Sequence, residues 1–361
     1  MRGSRSKPVL ALLVTYALLL AFTPAVAVGA KSKKTTEVTV PVLLLPEGRK
    51  LVFERSFSSQ RDMGIKRGFW NKLVDIIAGP PEFHHMQRPY SVVTDSHDRV
   101  IVTDPGAEGI HIFDFPQERY KFISHTEGKD PLRSPQCVAV DKQDNIYVTD
   151  SESGKIFVFE ASGKLRRVIG SLKGGEGFYK RPTGIAVDSE EQRIYVTDTL
   201  RNKIFVLDMQ GSVLQTIGKN GSGDGEFNFP TELRLQGKNL IVVDAMNFRI
   251  QVVDRSGQFQ YAIGKLGDSD GDMFRPKGVG VDSEGHIYVV EGLSSLVQVF
   301  DQKGQLLYYF GRKGTGFGDF QAPAGLFIDH NDRVFVVDSF NRRVEVFRYY
   351  GPTKRAAGGM Q

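Results

Sequence analysis

The sequence predicts an all-β fold, a six-bladed β-propeller, from three observations. Short runs alternate apolar with polar residues at a period of two, which is typical of half-buried strands. A four-strand pattern, clearest in "GIAVDSEEQRIYVTDTLRNKIFVLDMQGSVLQTIG" (184–218), recurs along the chain. A proline precedes each copy, and successive prolines are 46, 47, 48, 46 and 47 residues apart. These anchor prolines are Pro89, Pro135, Pro182, Pro230, Pro276 and Pro323. Six four-stranded copies of this length form the blades of a closed ring.

The first 30 residues have the three-part layout of a secretory signal. Arg2, Arg5 and Lys7 precede a largely apolar region, and small residues suited to cleavage follow in "TPAVAVGA". We expect cleavage of residues 1–30 and export to the periplasm or the extracellular space; the alternative is an uncleaved membrane anchor. Three of the 47 Lys and Arg and none of the 42 Asp and Glu lie there, so 44 basic residues remain against 42 acidic ones. A nearly neutral ring gives no electrostatic reason to bind nucleic acid.

The segment before the first copy supplies the strand that closes the ring. The sixth copy runs through three strands and stops at Gly351 without a fourth. The sequence "KLVFERSF", residues 50–57, resembles the outer strands of the other copies, so we expect it to complete the sixth blade and leave no open edge. Residues 31–49 are predicted to be a linker that becomes extended, residues 50–351 the propeller, and residues 352–361 a polar tail.

An insertion between the closing strand and blade one predicts a short amphipathic helix at about residues 61–79. In "IKRGFWNKLVDIIAG" the apolar residues form a helical stripe, which Gly79 and two prolines end. We expect Trp70 and Phe69 to bind a partner or to contact a membrane. The alternative is that this stripe packs on the propeller's own surface.

Each second strand ends in an acidic residue, and this recurring position is the candidate metal site. Four of the acids have a basic residue five positions later, which predicts a turn held by side-chain hydrogen bonds and an ion pair. Blades one and five lack that basic residue, so Asp104 and Glu291 are the weak candidates for a cation ligand. The four predicted pairs are Asp150 with Lys155, Asp198 with Lys203, Asp244 with Arg249 and Asp338 with Arg343.

The inner strand of blade four differs from its siblings because it reads "ELRLQ" where another reads "GIAVD". Glu232 and Arg234 are two residues apart on a strand, so they share a face. Buried charges are costly unless they are paired or solvated. Two interpretations stay open, a mutually neutralising pair that plugs the channel and a ligand-binding site. The residues that follow the anchor prolines are expected to ring the same mouth: Tyr90, Gln136, Thr183, Thr231 and Lys277.

The repeat "RPTGIAVDSEEQRIYVTDTLRNKIFVLDMQGSVLQTIG" resembles an NHL repeat, and the resemblance covers residues 51–351. The resemblance implies a six-bladed propeller. It implies little about activity, since NHL propellers include RNA-binding domains, extracellular sensor domains of bacterial kinases and a zinc-dependent peptide-amidating lyase.

The residues do not favour catalysis. A zinc site of the lyase type needs several histidines that converge from different blades, and the seven histidines here are scattered. Neither a Gly-x-Ser-x-Gly elbow nor a P-loop occurs. The sequence therefore favours an exported binding or scaffolding propeller without a cofactor, whose partner is a protein, peptide or glycan of the cell envelope. The alternative is a hydrolase or lyase that holds calcium or zinc at the channel mouth.

Overall fold

The computed structural model describes residues 41–64, 84–124 and 131–352. Their strands form six antiparallel sheets, five of four strands and one of five. Each sheet is one blade, and the inner strands of consecutive blades adjoin until the sixth reaches the first. The protein is therefore an all-β six-bladed β-propeller, as the repeat period predicts.

The strands follow the chain from the inner to the outer position of each blade. Two strands precede blade one, β1 (Val42–Leu44) and β2 (Lys50–Phe57). Blade one contains β3 (Ser91–Thr94), β4 (Val100–Asp104), β5 (Gly109–Asp114) and β6 (Arg119–Ile123). Blade two contains β7 (Pro135–Val140), β8 (Ile146–Asp150), β9 (Lys155–Phe159) and β10 (Leu165–Ile169). Blade three contains β11 (Pro182–Asp188), β12 (Arg193–Asp198), β13 (Lys203–Asp208) and β14 (Val213–Ile217).

The last three blades repeat this order. Blade four contains β15 (Pro230–Gln236), β16 (Asn239–Asp244), β17 (Arg249–Asp254) and β18 (Phe259–Ile263). Blade five contains β19 (Pro276–Val281), β20 (Ile287–Glu291), β21 (Leu296–Phe300) and β22 (Leu306–Phe310). Blade six contains β23 (Leu326–Ile328), β24 (Arg333–Asp338) and β25 (Arg343–Tyr350), followed outwards by β2 and β1.

The sixth blade is closed by strands from the other end of the chain. Strand β2 pairs antiparallel with β25, from Lys50 opposite Tyr350 to Phe57 opposite Val344. This pairing confirms that residues 50–57 complete blade six. Strand β1 adds a fifth strand outside β2, which the repeat pattern did not predict. Because the first and last strands share one sheet, the ring is closed between blades six and one.

The hydrophobic core lies between the blades rather than within any one of them. Six clusters of buried apolar residues occupy the six blade interfaces. Between blades two and three, for example, Tyr147 and Ile156 pack with Ile194 and Phe205. Each sheet thus buries both of its faces against neighbouring copies, which explains how four short strands per repeat give a stable protein.

The links between blades and the turns between second and third strands lie on one face, called here the top face. In blade three the backbone N–H of Thr199, in such a turn, donates to the carbonyl of Arg181, in the preceding link, at 3.0 Å. In blade five Gly292 N–H donates likewise to the Arg275 carbonyl at 3.0 Å. The apolar residues three positions before the anchor prolines are buried under these links: Met86, Leu132, Tyr179, Phe227, Met273 and Phe320.

The helices of the described part are four short 3-10 turns, and none is long and apolar enough to cross a membrane. They are Pro46–Gly48, Gln60–Met63, Thr199–Arg201 and Ala245–Asn247. The amphipathic helix expected at about 61–79 falls outside the described residues except for its first few positions, and Trp70 and Phe69 lie outside them. The expected signal and nearly all of the polar tail also lie outside them.

Candidate functional site

The acidic residue that ends each second strand holds the link that enters its own blade. Asp150 accepts hydrogen bonds from the backbone N–H groups of Arg133 at 2.7 Å and Ser134 at 2.9 Å. Asp198 accepts one from Arg181 at 3.0 Å. Both carboxylates are fully buried, so these bonds replace the water that each charge loses on folding. The acids therefore fix the chain where each inner strand begins.

The ion pairs predicted beside these acids form in some blades only. Arg249 Nε lies 2.9 Å from Asp244 Oδ2 in blade four, and the equivalent residues of blade six are 2.8 Å apart. In blade three the predicted partner of Asp198, Lys203, is wrong. Arg201 forms the ion pair with Asp198 instead, at 3.5 Å. The 3-10 turn after β12 brings the third following residue back over the carboxylate.

Asp104 and Glu291, the weak candidates for a cation ligand, use their oxygens for the same backbone contacts. Asp104 accepts from the N–H of Arg88 at 2.9 Å, and Glu291 accepts from the N–H of Arg275 at 2.7 Å. Both carboxylates are buried. Binding a cation there would require breaking hydrogen bonds that hold the links, so their observed role is to position Arg88 and Arg275.

Blade one compensates for its missing basic residue with a histidine. His111 is fully buried, with Nε2 3.3 Å from Asp104 Oδ2 and Nδ1 2.7 Å from the Tyr120 hydroxyl oxygen. Burial alone would raise the pKa of Asp104, but hydrogen bonds from His111 and from backbone N–H groups lower it overall. His111 was not among the residues predicted from the sequence. The sequence could have indicated this role for His111 through its position in the repeat. The equivalent residue of blade four is Gln251, which donates a hydrogen bond to Asp244 at 2.9 Å.

The inner strand of blade four brings the predicted charge pair together. Glu232 Oε1 lies 2.5 Å from Arg234 Nη2, and both side chains are largely buried. Arg234 also donates to the backbone oxygens of Val279 at 3.2 Å and Leu326 at 2.9 Å, so its guanidinium reaches from blade four to blades five and six. The contact with Glu232 lacks hydrogen-bond geometry, and Glu232 Oε1 has no hydrogen-bond partner among the described residues. The pair therefore neutralises charge, although Glu232 Oε1 has no well-directed hydrogen bond.

The environment of Glu232 favours the protonated, neutral carboxyl group. Burial raises the pKa of Glu232 to about 7, although the charges of Arg234 and Lys277 act in the opposite direction. A group that changes charge near neutral pH in a channel is a common feature of functional sites.

Lys277 and Tyr90 meet at the mouth of the channel on the top face. Lys277 Nζ lies 5.7 Å from the centre of the Tyr90 ring. Lys277 comes from blade five and Tyr90 from blade one, and the intervening blade six has the small Ala324 at this position. The predicted ring is otherwise incomplete, because Gln136 donates to Ser134 Oγ at 3.0 Å within its own link.

Two further members of the predicted ring have different surroundings. Thr183 forms a hydrogen bond with Thr199 in its own blade, at 2.7 Å between the hydroxyl oxygens. Thr231 Oγ1, next to Glu232, is buried and has no hydrogen-bond partner in the described part of the chain. Of the polar groups near the mouth, Glu232 Oε1 and Thr231 Oγ1 are therefore buried, whereas Lys277 is partly exposed.

Three arginines that were not among the predicted residues surround Lys277. Arg88, Arg181 and Arg275 directly precede anchor prolines, in blades one, three and five, and are exposed. Burial and then the charges of Arg275, Arg88 and Arg181 lower the pKa of Lys277 to about 8, which places each arginine within electrostatic reach of Lys277. Their signal in the sequence is an Arg-Pro pair in alternate repeats, "RPY", "RPT" and "RPK".

On the opposite face, Asp95, His97 and Asp144 lie close enough together to share a metal ion. His97 Nδ1 is 2.9 Å from Asp144 Oδ2, and Asp95 Oδ2 is 2.6 Å from Arg99 Nε. Asp144 also accepts hydrogen bonds from the serine before His97, in blade one, and Asp332 accepts matching bonds between blades five and six. The same serine–aspartate contact therefore occurs between blades five and six, where no histidine takes part. We assign these residues a role in joining neighbouring blades and do not assign them as a metal site.

A cavity of about 740 Å³ opens between blades six and one. Its lining includes Arg333, which pairs with Asp98, and Arg348, which pairs with Glu54. These lining charges are satisfied by one another, unlike the cations of the channel mouth. The channel mouth is therefore the better candidate for a binding site.

Comparison with known protein families agrees with this architecture. Residues 190–263 match the DUF5128 family, described as a 6-bladed beta-propeller, and residues 132–159 match the NHL repeat. The chain is a six-bladed β-propeller with sequence similarity to the NHL repeat. No protein of curated function matches its sequence significantly.

Solved structures similar to this propeller include enzymes and a binding protein. Virginiamycin B lyase from Staphylococcus aureus aligns with a TM-score of 0.54 and 13% identity over 83% of this chain and 99% of that one. A gluconolactonase from Xanthomonas campestris aligns at 0.56 and 16% identity over 73% and 87%. An auxiliary nutrient binding protein from Bacteroides thetaiotaomicron aligns at 0.57 and 12% identity over 74% and 70%. At these identities the likeness shows the fold alone.

Proposed function

We propose that this propeller is an exported ligand-binding or scaffolding protein of the cell envelope, and that its ligand binds at the channel mouth on the top face. The observation that supports this proposal is the group of polar side chains that converge there. Lys277 lies over Tyr90, and Glu232, which is paired with Arg234, lies within electrostatic reach of Lys277. Convergent polar groups with shifted pKa values are characteristic of binding sites. No residue is assigned a catalytic role.

The second candidate is a hydrolase or lyase that holds calcium or zinc at the same mouth. Among the described inner-strand residues, Glu232 is the only carboxylate at the mouth end, and Arg234 already contacts it. Calcium takes roughly six to eight oxygen ligands and catalytic zinc about three protein ligands. Lys277 and the neighbouring arginines would also repel a divalent cation. The donor set therefore supports binding of a ligand other than a metal ion.

Export and the class of partner are parts of the same proposal. The signal-like sequence of residues 1–30 supports a location in the periplasm or outside the cell. A protein, peptide or glycan is the expected partner, and the near balance of charge after residue 30 gives no support for nucleic acid. Membrane contact through the N-terminal segment or through Trp70 would involve residues outside the described part.

Native mass spectrometry and elemental analysis of the protein purified from its natural source test this proposal. We expect a bound molecule in the wild type that is lost from the Tyr90→Ala/Lys277→Met variant and kept by Arg312→Gln. Arg312 is the control because it is exposed in a top-face link and pairs with Asp319 at 2.8 Å. Stoichiometric calcium or zinc that is lost from Glu232→Gln would support the hydrolase or lyase instead. Retention of every bound species by the double variant would place the site elsewhere.

A further inference from the structure

We infer that the channel mouth selects a compact organic anion with at least two acidic groups, carboxylates or phosphates, and that Arg88, Arg181 and Arg275 bind those groups from three sides. This inference rests on the proposed ligand-binding function and names the ligand class of the same mouth.

The three arginines stand at one position in alternate blades, one-third of a turn apart around the ring. Their backbones are held in place by buried acids, since Asp104 accepts from Arg88 N–H at 2.9 Å and Glu291 from Arg275 N–H at 2.7 Å. Arg181 is held in the same way in blade three, at 3.0 Å. A guanidinium group presents planar N–H donors that match a carboxylate or a phosphate. Three such groups around one opening suit a ligand with several acidic groups.

No described carboxylate pairs directly with the three arginines. The guanidinium groups of Arg88, Arg181 and Arg275 have no ion pair or hydrogen bond among the residues that the structure describes. Lys277 adds a fourth cation, and its pKa of about 8 reflects burial and repulsion by the three arginines. A bound anion would relieve that repulsion.

The rim of the mouth favours an anion with an organic frame over an inorganic ion. Blades three to six carry an exposed apolar side chain at one position of the turn between second and third strands: Leu200, Met246, Leu293 and Phe340. Blades one and two have Gly106 and Glu152 at this position. Apolar parts of a ligand would gain free energy by covering these side chains, and an inorganic ion has no such parts.

Acidic residues farther out on the same face limit the size of the ligand. Asp224, Asp268 and Asp270 are exposed in the links that enter blades four and five. A flat anionic membrane resting on the top face would bring its charge against them. A compact ligand confined to the mouth meets the arginines without meeting these carboxylates.

Isothermal titration of the purified propeller with benzene-1,3,5-tricarboxylate, compared with benzoate, tests the inference at pH 7 and low salt. We expect the tricarboxylate to bind at least tenfold more tightly than benzoate and to bind more weakly as salt is added. Arg88→Gln, Arg181→Gln and Arg275→Gln should each weaken binding by about tenfold, because each removes a charged hydrogen bond. The three side chains are exposed, so these variants should fold, and thermal unfolding checks this. Arg312→Gln should bind like the wild type.

Other outcomes of the same experiment separate the possible ligands. Tighter binding of pyrophosphate than of the tricarboxylate, with the same dependence on the three arginines, would support a phosphate ligand. Equal affinity for benzoate and the tricarboxylate, no binding of either, or an equal loss in Arg312→Gln would overturn the inference. Cosedimentation with phosphatidylglycerol vesicles that the tricarboxylate does not displace would overturn it in favour of a membrane. A neutral molecule that copurifies and is lost from Tyr90→Ala/Lys277→Met would reject the anion but keep the proposed function.

Discussion

Glu232 links the stability of the propeller to pH. Its pKa is raised from 4.5 to about 7 in the folded protein, so the folded state holds an extra proton between those values. The stability that this proton contributes is complete below about pH 4.5 and is lost as the pH rises through 7. We expect Glu232→Gln to remove this loss, which amounts to about 3 kcal/mol. Urea unfolding of both proteins at pH 5 and pH 8 measures it, and an equal pH dependence would contradict the expectation.

Arg234 provides a second test of the same pair. Arg234→Met leaves a buried carboxylate without its cation, whereas Arg234→Met/Glu232→Gln removes both charges. We expect the double variant to be more stable than the single one at pH 8 by about 2 kcal/mol, because an unpaired buried charge costs more than no charge. The difference should shrink at pH 5, where Glu232 is protonated. A double-mutant cycle from urea unfolding measures it, and additive losses would show that the two charges do not interact.

At the scale of the structural element, the acid that holds each link is the repeated stabilising device. Asp104→Asn keeps one oxygen acceptor but places an NH₂ group against the backbone N–H of either Gln87 or Arg88, so we expect a loss of about 2 kcal/mol in the free energy of unfolding. His111→Gln should cost under about 1 kcal/mol, because Gln251 donates to Asp244 in the equivalent place. Thermal unfolding of the two variants gives the comparison. Equal losses would assign His111 a larger role than that of Gln251.

The closing strand is the second element whose contribution can be measured. Phe53 on β2 is 5% exposed and packs against Phe347, with ring centres 5.6 Å apart. We expect Phe53→Ala to cost about 3 kcal/mol, by loss of burial and creation of a cavity. Leu44→Ala on the neighbouring β1 is the control, since Leu44 is 78% exposed and should change stability by less than about 0.5 kcal/mol. A similar loss in both variants would contradict this role for β2.

Elements that repeat were predictable from the sequence, and elements that depart from the repeat were less so. The strand at residues 50–57 was predicted because it resembles other outer strands, whereas β1 has no counterpart in the other blades. The pairing of Asp198 with Arg201 instead of Lys203 depends on the 3-10 turn after β12, whose backbone course the sequence pattern does not specify. Local spacing predicts which residues share a strand, but side-chain partners across a turn depend on its exact course.

At the scale of the whole molecule, the ring brings together residues that are far apart in the chain. Glu232 and Arg234 were recognisable because they are two residues apart on one strand. Lys277 and Tyr90 meet only because blades five and one flank a blade with a small residue at the same position, Ala324. The arginines at alternate anchor prolines become one site only in the closed ring. Such a site can be found in the sequence by comparing one position across all six repeats.

Ligand binding at the mouth should therefore depend on pH through the protonation of Lys277. Its pKa of about 8 means that the ammonium loses its proton as the pH rises through 8, and an anionic ligand then binds a mouth with one charge fewer. We expect the affinity for benzene-1,3,5-tricarboxylate to fall by about tenfold between pH 7 and pH 9, because the ligand must restore that proton. Lys277→Arg should abolish this fall, since a guanidinium group stays charged throughout the range. Isothermal titration at both pH values measures the effect; a fall that persists in Lys277→Arg would assign it to another group.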